Sequence, residues 1–157
     1  MDSSLYNPFL SGSLNILNQM VGLEVKFDSE VSVGEKEIDS YGVTSIITFT
    51  GARSGRFLID MEPVLALHIA SSIIGVEFDN VKEYDVLMAI SELNNIIAGD
   101  AITNLNDTYN WGLRLAPPIV LSGEEPIISV PKLTSVTIDG TTDIGKMKID
   151  IAFVREE

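Results

Sequence analysis

A carboxylate and a carboxamide stand three residues apart at Glu92 and Asn95, inside the longest run of helix-spaced apolar residues in the chain. On a helix of about 100° per residue, the segment from Glu83 to about Leu105 lines Val86, Ile90, Leu93 and Ile97 along one stripe, the face suited to a core. Glu92, Asn95 and Gly99 fall on the opposite side, within about 60° of one another. Residues at i and i+3 are neighbours on a helix surface. The carboxylate can pair with a lysine, and the carboxamide, which both donates and accepts hydrogen bonds, can orient a water. Glycine inside a helix costs about 1 kcal/mol relative to alanine, so Gly99 calls for a reason, and close approach of another molecule would be one. Those three residues alone fit an ordinary solvated helix face as well.

Other candidate chemistries are thinner. The chain has no cysteine, which removes disulfides, thiolate metal sites and thiol nucleophiles. His68 is the only histidine, on a helix reading Pro63 to Ile74, with no second ligand at metal spacing, and reads as structural. Asp139 and Asp143 do not make a calcium loop, and Gly51 to Gly55 lacks the Lys and Ser/Thr of a phosphate-binding loop. Tyr109 and Trp111 read as packing rather than as a partner contact. No metal site is expected.

The 157 residues suit a single domain, 1–157, and a 45% hydrophobic content can supply its core. A formal charge of −13 argues against a nucleic-acid partner, which needs clustered Lys and Arg. The acidity reads first as solubility, and second as steering toward a basic patch on a partner. No apolar run is long enough to span a bilayer, and Met1-Asp2-Ser3-Ser4 lacks the basic start of a signal peptide, so the expected location is cytoplasmic.

Several elements must position the pair. Asn7-Pro8 reads as an N-cap with Pro at the first helical position, followed by Phe9, Leu10, Leu14, Leu17 and Val21 at helical spacing and a stop at Gly22. Leu23 to Phe27 alternates as a strand, and Val31 to Glu37 is a weaker one. Val43 to Thr50 and Arg56 to Met61 flank a turn at 51–55 and predict a hairpin. Asn106 to Pro118 is loop-like. Ile119 to Leu121, Ile127 to Pro131, Ser135 to Thr141 and Lys146 to Val154 are further strand candidates, with Asp139-Gly140 near a turn. The fold class expected is α/β of the α+β kind: two layers, with helices on one face of a mostly antiparallel sheet. The stretch from Leu14 to Gly22 can also be laid over Ser91 to Gly99, placing Asn18 on Asn95, Gly22 on Gly99 and Asn15 on Glu92.

The stretch Ser91-Glu92-Leu93-Asn94-Asn95-Ile96-Ile97-Ala98-Gly99 resembles the signature of the CheC/CheX/FliY phosphatases of bacterial chemotaxis. That signature runs Asp or Ser, three residues, Glu, two residues, Asn, twenty-two residues, Pro. Glu92, Asn95 and Pro118 match, while Met88 stands where Asp or Ser is usual. Asn7-Pro8-Phe9, the segment Met20 to Val25, the length and the element order also look like the CheX branch. One intact copy of the motif and one lacking its Glu point to that branch rather than to CheC.

The resemblance implies a phosphatase of phosphorylated CheY-like receiver domains. Glu92 would pair with the receiver's lysine and Asn95 would hold a water in line with the phosphoaspartate. Glu92, Asn95, Gly99 and Met88 would meet the partner, and Pro118 would shape the loop beside the helix. The Mg²⁺ would be the receiver's, with no cofactor bound by this chain. It implies a homodimer paired through its sheets. The alternative is a non-catalytic receiver-binding adaptor or a motor-associated module, which the departure at Met88 leaves open.

Overall fold

The computed structural model describes residues 1–29, 31–34, 38–123 and 133–155. Helices α1 (Ser3–Val21), α2 (Pro63–Ile74) and α3 (Tyr84–Tyr109) pack on one face of a sheet. Its strands are β1 (Lys26–Phe27), β2 (Ser32–Gly34), β3 (Val43–Thr50), β4 (Gly55–Met61), β5 (Arg114–Leu115), β6 (Ile119–Ser122), β7 (Leu133–Thr141) and β8 (Lys146–Val154). Their order is β1-β7-β8-β4-β3-β5, with β2 also on β7 and β6 also on β3. Every pairing among the described residues is antiparallel. The long hairpins β3–β4 and β7–β8 thus form the middle, joined by β4 against β8, and short strands trim both rims.

Alternation decides which side chains meet the helices. Val43, Ile47 and Phe49 of β3, Phe57, Ile59 and Met61 of β4, and Met147, Ile149, Ile151 and Phe153 of β8 are buried in one cluster with Leu17 of α1, Leu65 and Ile69 of α2, and Ile90, Leu93 and Ile97 of α3. Phe9 of α1 stacks on Phe57 and Phe49 at centroid distances of 5.0 and 6.0 Å. At Gly12 a Cβ would stand 3.3 Å from Asp100 Oδ2 and 3.5 Å from the carbonyl oxygen of Ile97, so a bare position brings α1 close to α3.

Several boundaries differ from the sequence reading. α1 starts at Ser3, not after Asn7, because Asp2 caps it by accepting from the Ser4 N–H at 3.0 Å. Pro8 therefore lies inside the helix, where its missing N–H forfeits one bond. Burial of Phe9, at about 1.5–3 kcal/mol, and the Asp2 cap at about 1 kcal/mol offset that cost. α3 runs on to Tyr109, where Asn110 closes it in the left-handed conformation at φ 56°. The Asn106 side chain then ties back the chain, accepting from the Leu113 N–H at 2.7 Å and donating to its carbonyl at 3.1 Å. Leu23–Phe27 shrinks to the two residues of β1, and Val31–Glu37 is β2 as far as the described residues extend. The Ile127–Pro131 strand lies outside them. Asp139 and Gly140 sit within β7, and the β7–β8 turn is built by Thr142, whose Oγ1 accepts from the N–H groups of Ile144 and Gly145.

The opposite face of the sheet carries charge. Register places Asp60 beside Lys148 and Leu58 beside Asp150, and all four are buried together with Arg56. Asp60 accepts from Thr44 Oγ1 at 2.6 Å, Ser40 Oγ at 2.8 Å and the Tyr41 N–H at 2.7 Å, and Lys148 Nζ stands 3.9 Å away. Lys148 also donates to the carbonyl of Asp39 and lies over the Tyr41 ring, 4.3 Å from its centroid. Arg56 approaches Asp150 at 3.6 Å, too far for a hydrogen bond, while Thr137 donates to Asp150 at 2.6 Å. Desolvation raises the pKa of both Asp60 and Asp150 above the ordinary 3.8, against the opposing pull of these donors and cations.

A raised carboxyl pKa gives a stability contribution that is complete below the unfolded value and is lost as pH rises through the folded one. The stability of the wild type minus that of Asp150→Asn, from urea denaturation, is therefore expected to be largest below pH 3.8 and to fall as pH rises from there through the raised folded value. A difference that grows toward neutral pH contradicts the assignment.

Candidate functional site

α3 is 26 residues long and two-faced. Val86, Ile90, Leu93 and Ile97 are fully buried, as the 3.6-residue period predicts, while Glu92 and Asn95 are exposed. The helix contains no Lys, Arg or His, and its acids are Asp85, Glu92, Asp100 and Asp107. Glu92 thus has no cation at i±3 or i±4 to neutralise it, and is free to pair with one supplied from outside.

Asn94, next to the pair, is fully buried and donates from Nδ2 to Ser45 Oγ of β3 at 2.8 Å. Its Oδ1 is buried with no hydrogen-bond partner among the described residues. This is the one polar tie between the helix and the strand beneath it that the described hydrogen bonds show, and it fixes how α3 is rotated. With Asn94 held against β3, Glu92 and Asn95 must point outward. The short motif does not mark Asn94 as special. Its wheel angle, about 200° from Glu92, was the available signal, since it sets a carboxamide among core positions.

Gly99 is half-covered and lies within α3. A Cβ there would find only Leu115 Cδ1, at 4.0 Å. Packing among the described residues therefore does not demand a glycine. Thr103 Oγ1 donates to the Gly99 carbonyl at 2.8 Å, leaving that carbonyl oxygen engaged. Met88, one turn before Glu92, is 47% exposed. Met88, Glu92, Asn95 and Gly99 are thus brought together on one face. Pro118 is on a separate segment, between β5 and β6, strands that flank α3.

The likeness between α1 and α3 holds in part. Asn15 and Asn18 are exposed on α1 and line a cleft of about 620 Å³ with Glu24, Lys26 and Asp143. Gly22, however, ends α1 as a left-handed cap at φ 67°, whereas Gly99 sits in mid-helix, so the two glycines do different work. Tyr109 and Trp111 stack on each other at 4.4 Å, with the Arg53 guanidinium 5.6 Å from the Trp111 ring. Trp111 is partly buried against the core, whereas Tyr109 is exposed, so the packing expectation holds for Trp111 and not for Tyr109. His68 is partly buried on α2. Among the described residues no three His, Asp or Glu side chains are grouped to hold a metal ion, and no helix is long and apolar enough to cross a membrane.

A family model described as "Chemotaxis phosphatase CheX" matches residues 43–140, which include β3, β4, α2, α3, β6 and most of β7. The chain belongs to the CheX family. A CheX relative from Thermotoga maritima, named "CheY-P phosphatase CheX", is 26% identical over 126 residues, covering 80% of this chain and 79% of the relative. The crystal structure of chemotaxis protein CheX from Vibrio vulnificus superposes with a TM-score of 0.86 at 26% identity, covering 95% of this chain and 98% of that one. CheX of Borrelia burgdorferi, solved in a CheX–CheY–BeF₃–Mg²⁺ complex, superposes at 0.80 and 26% identity, covering 95% and 97%. The CheX likeness thus reaches beyond the stretch matched by the family model, and the two-layer fold expected from sequence is the one these structures share.

Two outcomes check this geometry. Gly99→Ala is expected to stabilise the fold, by up to about 1 kcal/mol, because among the described residues nothing opposes the added methyl. A lowered melting temperature contradicts the open space at Gly99. A double-mutant cycle on Asn94→Ala and Ser45→Ala is expected to show a coupling of about 0.5–3 kcal/mol. Additive effects contradict the tie.

Proposed function

We propose that this chain hydrolyses the phosphoaspartate of a CheY-like receiver, with Glu92 docking on the receiver's lysine and Asn95 holding the attacking water. The observation that carries the reading is the exposure of Glu92 and Asn95 side by side on a helix whose opposite face is wholly engaged in the core. The names of the Thermotoga relative and of the Borrelia complex agree with a CheY partner.

The chemistry asks little of this chain beyond placement. Water attacks phosphorus, the bond to the aspartyl oxygen breaks, and a carboxylate leaves with no need of a proton. Phosphoryl transfer of this kind responds mainly to alignment and to charge already in place. Asn95 Oδ1 would accept a hydrogen bond from the water and aim its lone pair at phosphorus, while Nδ2 is left to donate to a phosphoryl oxygen. Glu92, with no cation at i±3 or i±4 on α3, would form a charge-assisted hydrogen bond with the lysine and hold Asn95 in register. The Mg²⁺ is assigned to the receiver. Met88 at the position usually Asp or Ser is the observation that favours the second reading, a receiver-binding module without turnover.

We also read the chain as a homodimer. β6 pairs only with β3 among the described residues and exposes Ile119 and Leu121, features of an edge open to a second copy.

Phosphate loss from a labelled CheY-like receiver tests the proposal. The wild type is expected to accelerate it. Asn95→Ala is expected to lower kcat by about a hundredfold or more with KM little changed, the scale seen when one aimed polar group is deleted. Glu92→Ala is expected to raise KM by about tenfold, the loss of one charge-assisted contact. Full activity in both variants refutes the site, and binding without acceleration by the wild type favours the module.

A further inference from the structure

The exposed stripe of α3 does not begin at Glu92. Tyr84 and Met88 lie two turns and one turn before it, about 80° and 40° round the helix on the Asn95 side. They are 74% and 47% exposed and large, and the other exposed large apolar side chain of α3, Tyr109, stands at the far end of the helix and stacks on Trp111. Resting on the receiver-phosphatase reading above, we propose that Tyr84 and Met88 form an apolar docking arm that seats on an apolar patch bordering the receiver's phosphorylation site and selects among receivers.

Continuity argues for this occupant. A receiver that brings its lysine to Glu92 and its phosphoryl group to Asn95 must lie along α3. Two polar side chains cannot supply the roughly 800 Å² per partner of a stable interface, so stripe residues within a turn or two must enter it. The two ends of the stripe are unlike. Toward the C-terminus stand Gly99, Asp100 and Thr103, which offer little apolar area. Toward the N-terminus stand a tyrosine and a methionine, types enriched at the centres of protein interfaces, the methionine able to mould itself to its partner. Acidic Glu83 and Asp85 flank Tyr84, with the single cation Lys82 beside them, so the apolar centre has a net negative rim, suited to an apolar patch edged by cations. The stripe from Tyr84 to Gly99 is about 22 Å long.

The test is steady-state phosphate release from a CheY-like receiver on which the wild type is active. Tyr84→Ser with Met88→Ser is expected to raise KM by about tenfold or more with kcat within about twofold, while Tyr84→Phe with Met88→Leu restores the wild-type KM. Val33→Ser, an equally exposed apolar change on β2 at the far rim of the sheet, is expected to leave KM unchanged. All these positions are exposed, and melting temperatures verify that the variants fold. An unchanged KM in the double serine variant overturns the arm alone, as does a fall in kcat at constant KM. Loss of self-association with KM unchanged assigns the stripe to a second copy and also overturns it. A wild type inactive on every receiver overturns the phosphatase reading and the arm with it.

Discussion

The rotation of α3 about its own axis is the constraint on which the rest depends. The helix is about 39 Å long, and its inner face is committed along that length to β3, β4, α1 and α2. Apolar packing alone tolerates some roll, because methyl groups slide past one another at modest cost. The hydrogen bond from Asn94 to Ser45 does not, since misaligning it would strand buried polar atoms. One such tie therefore converts a greasy face into a keyed one. What the key fixes is the outward direction of Glu92 and Asn95, which the proposed chemistry needs to be constant.

The sheet beneath supplies the stiffness. Its two central hairpins carry the core on one face and a buried set of charges on the other, where Arg56, Asp60, Lys148 and Asp150 alternate in sign across β4 and β8. Such pairs are a weak source of net stability, since desolvation consumes most of the attraction. Their value lies in register: a slip of one residue between β4 and β8 would bury an unpaired charge and turn the apolar face outward. Because β4 also pairs with β3, a fixed β4–β8 register carries through to Ser45 and so to the helix.

Much of this was legible in the sequence where one periodicity dominates. Val86, Ile90, Leu93 and Ile97 told the inner face of α3 from the outer, and β3, β4 and β8 stood out by alternation and bounding turns. The ends of elements were less so. Asn106 to Tyr109 continue a helix without an apolar partner to announce it, and Asp2 began α1 ahead of the stronger signal at Asn7-Pro8. Arg114–Leu115 is too short to show a period, and pairs with β3 just beyond the point where Asn106 ties the chain back. The outward pair was legible from spacing and Gly99 from its anomaly. The Asn94–Ser45 tie was not, because it joins residues 49 apart whose meeting depends on the packing of helix on sheet.

The central claim is that one face of one helix does the work, and amide chemical-shift mapping tests it most directly. Isotope-labelled protein would be titrated with a Mg²⁺-bound CheY-like receiver carrying beryllofluoride as the phosphoryl stand-in. The account predicts perturbations concentrated on the outward positions of α3 from Tyr84 to Gly99 and on the adjoining segment 115–118, with β1, β2 and β7 quiet. Perturbations centred on α1 around Asn15 and Asn18, or on the sheet away from α3, would contradict it.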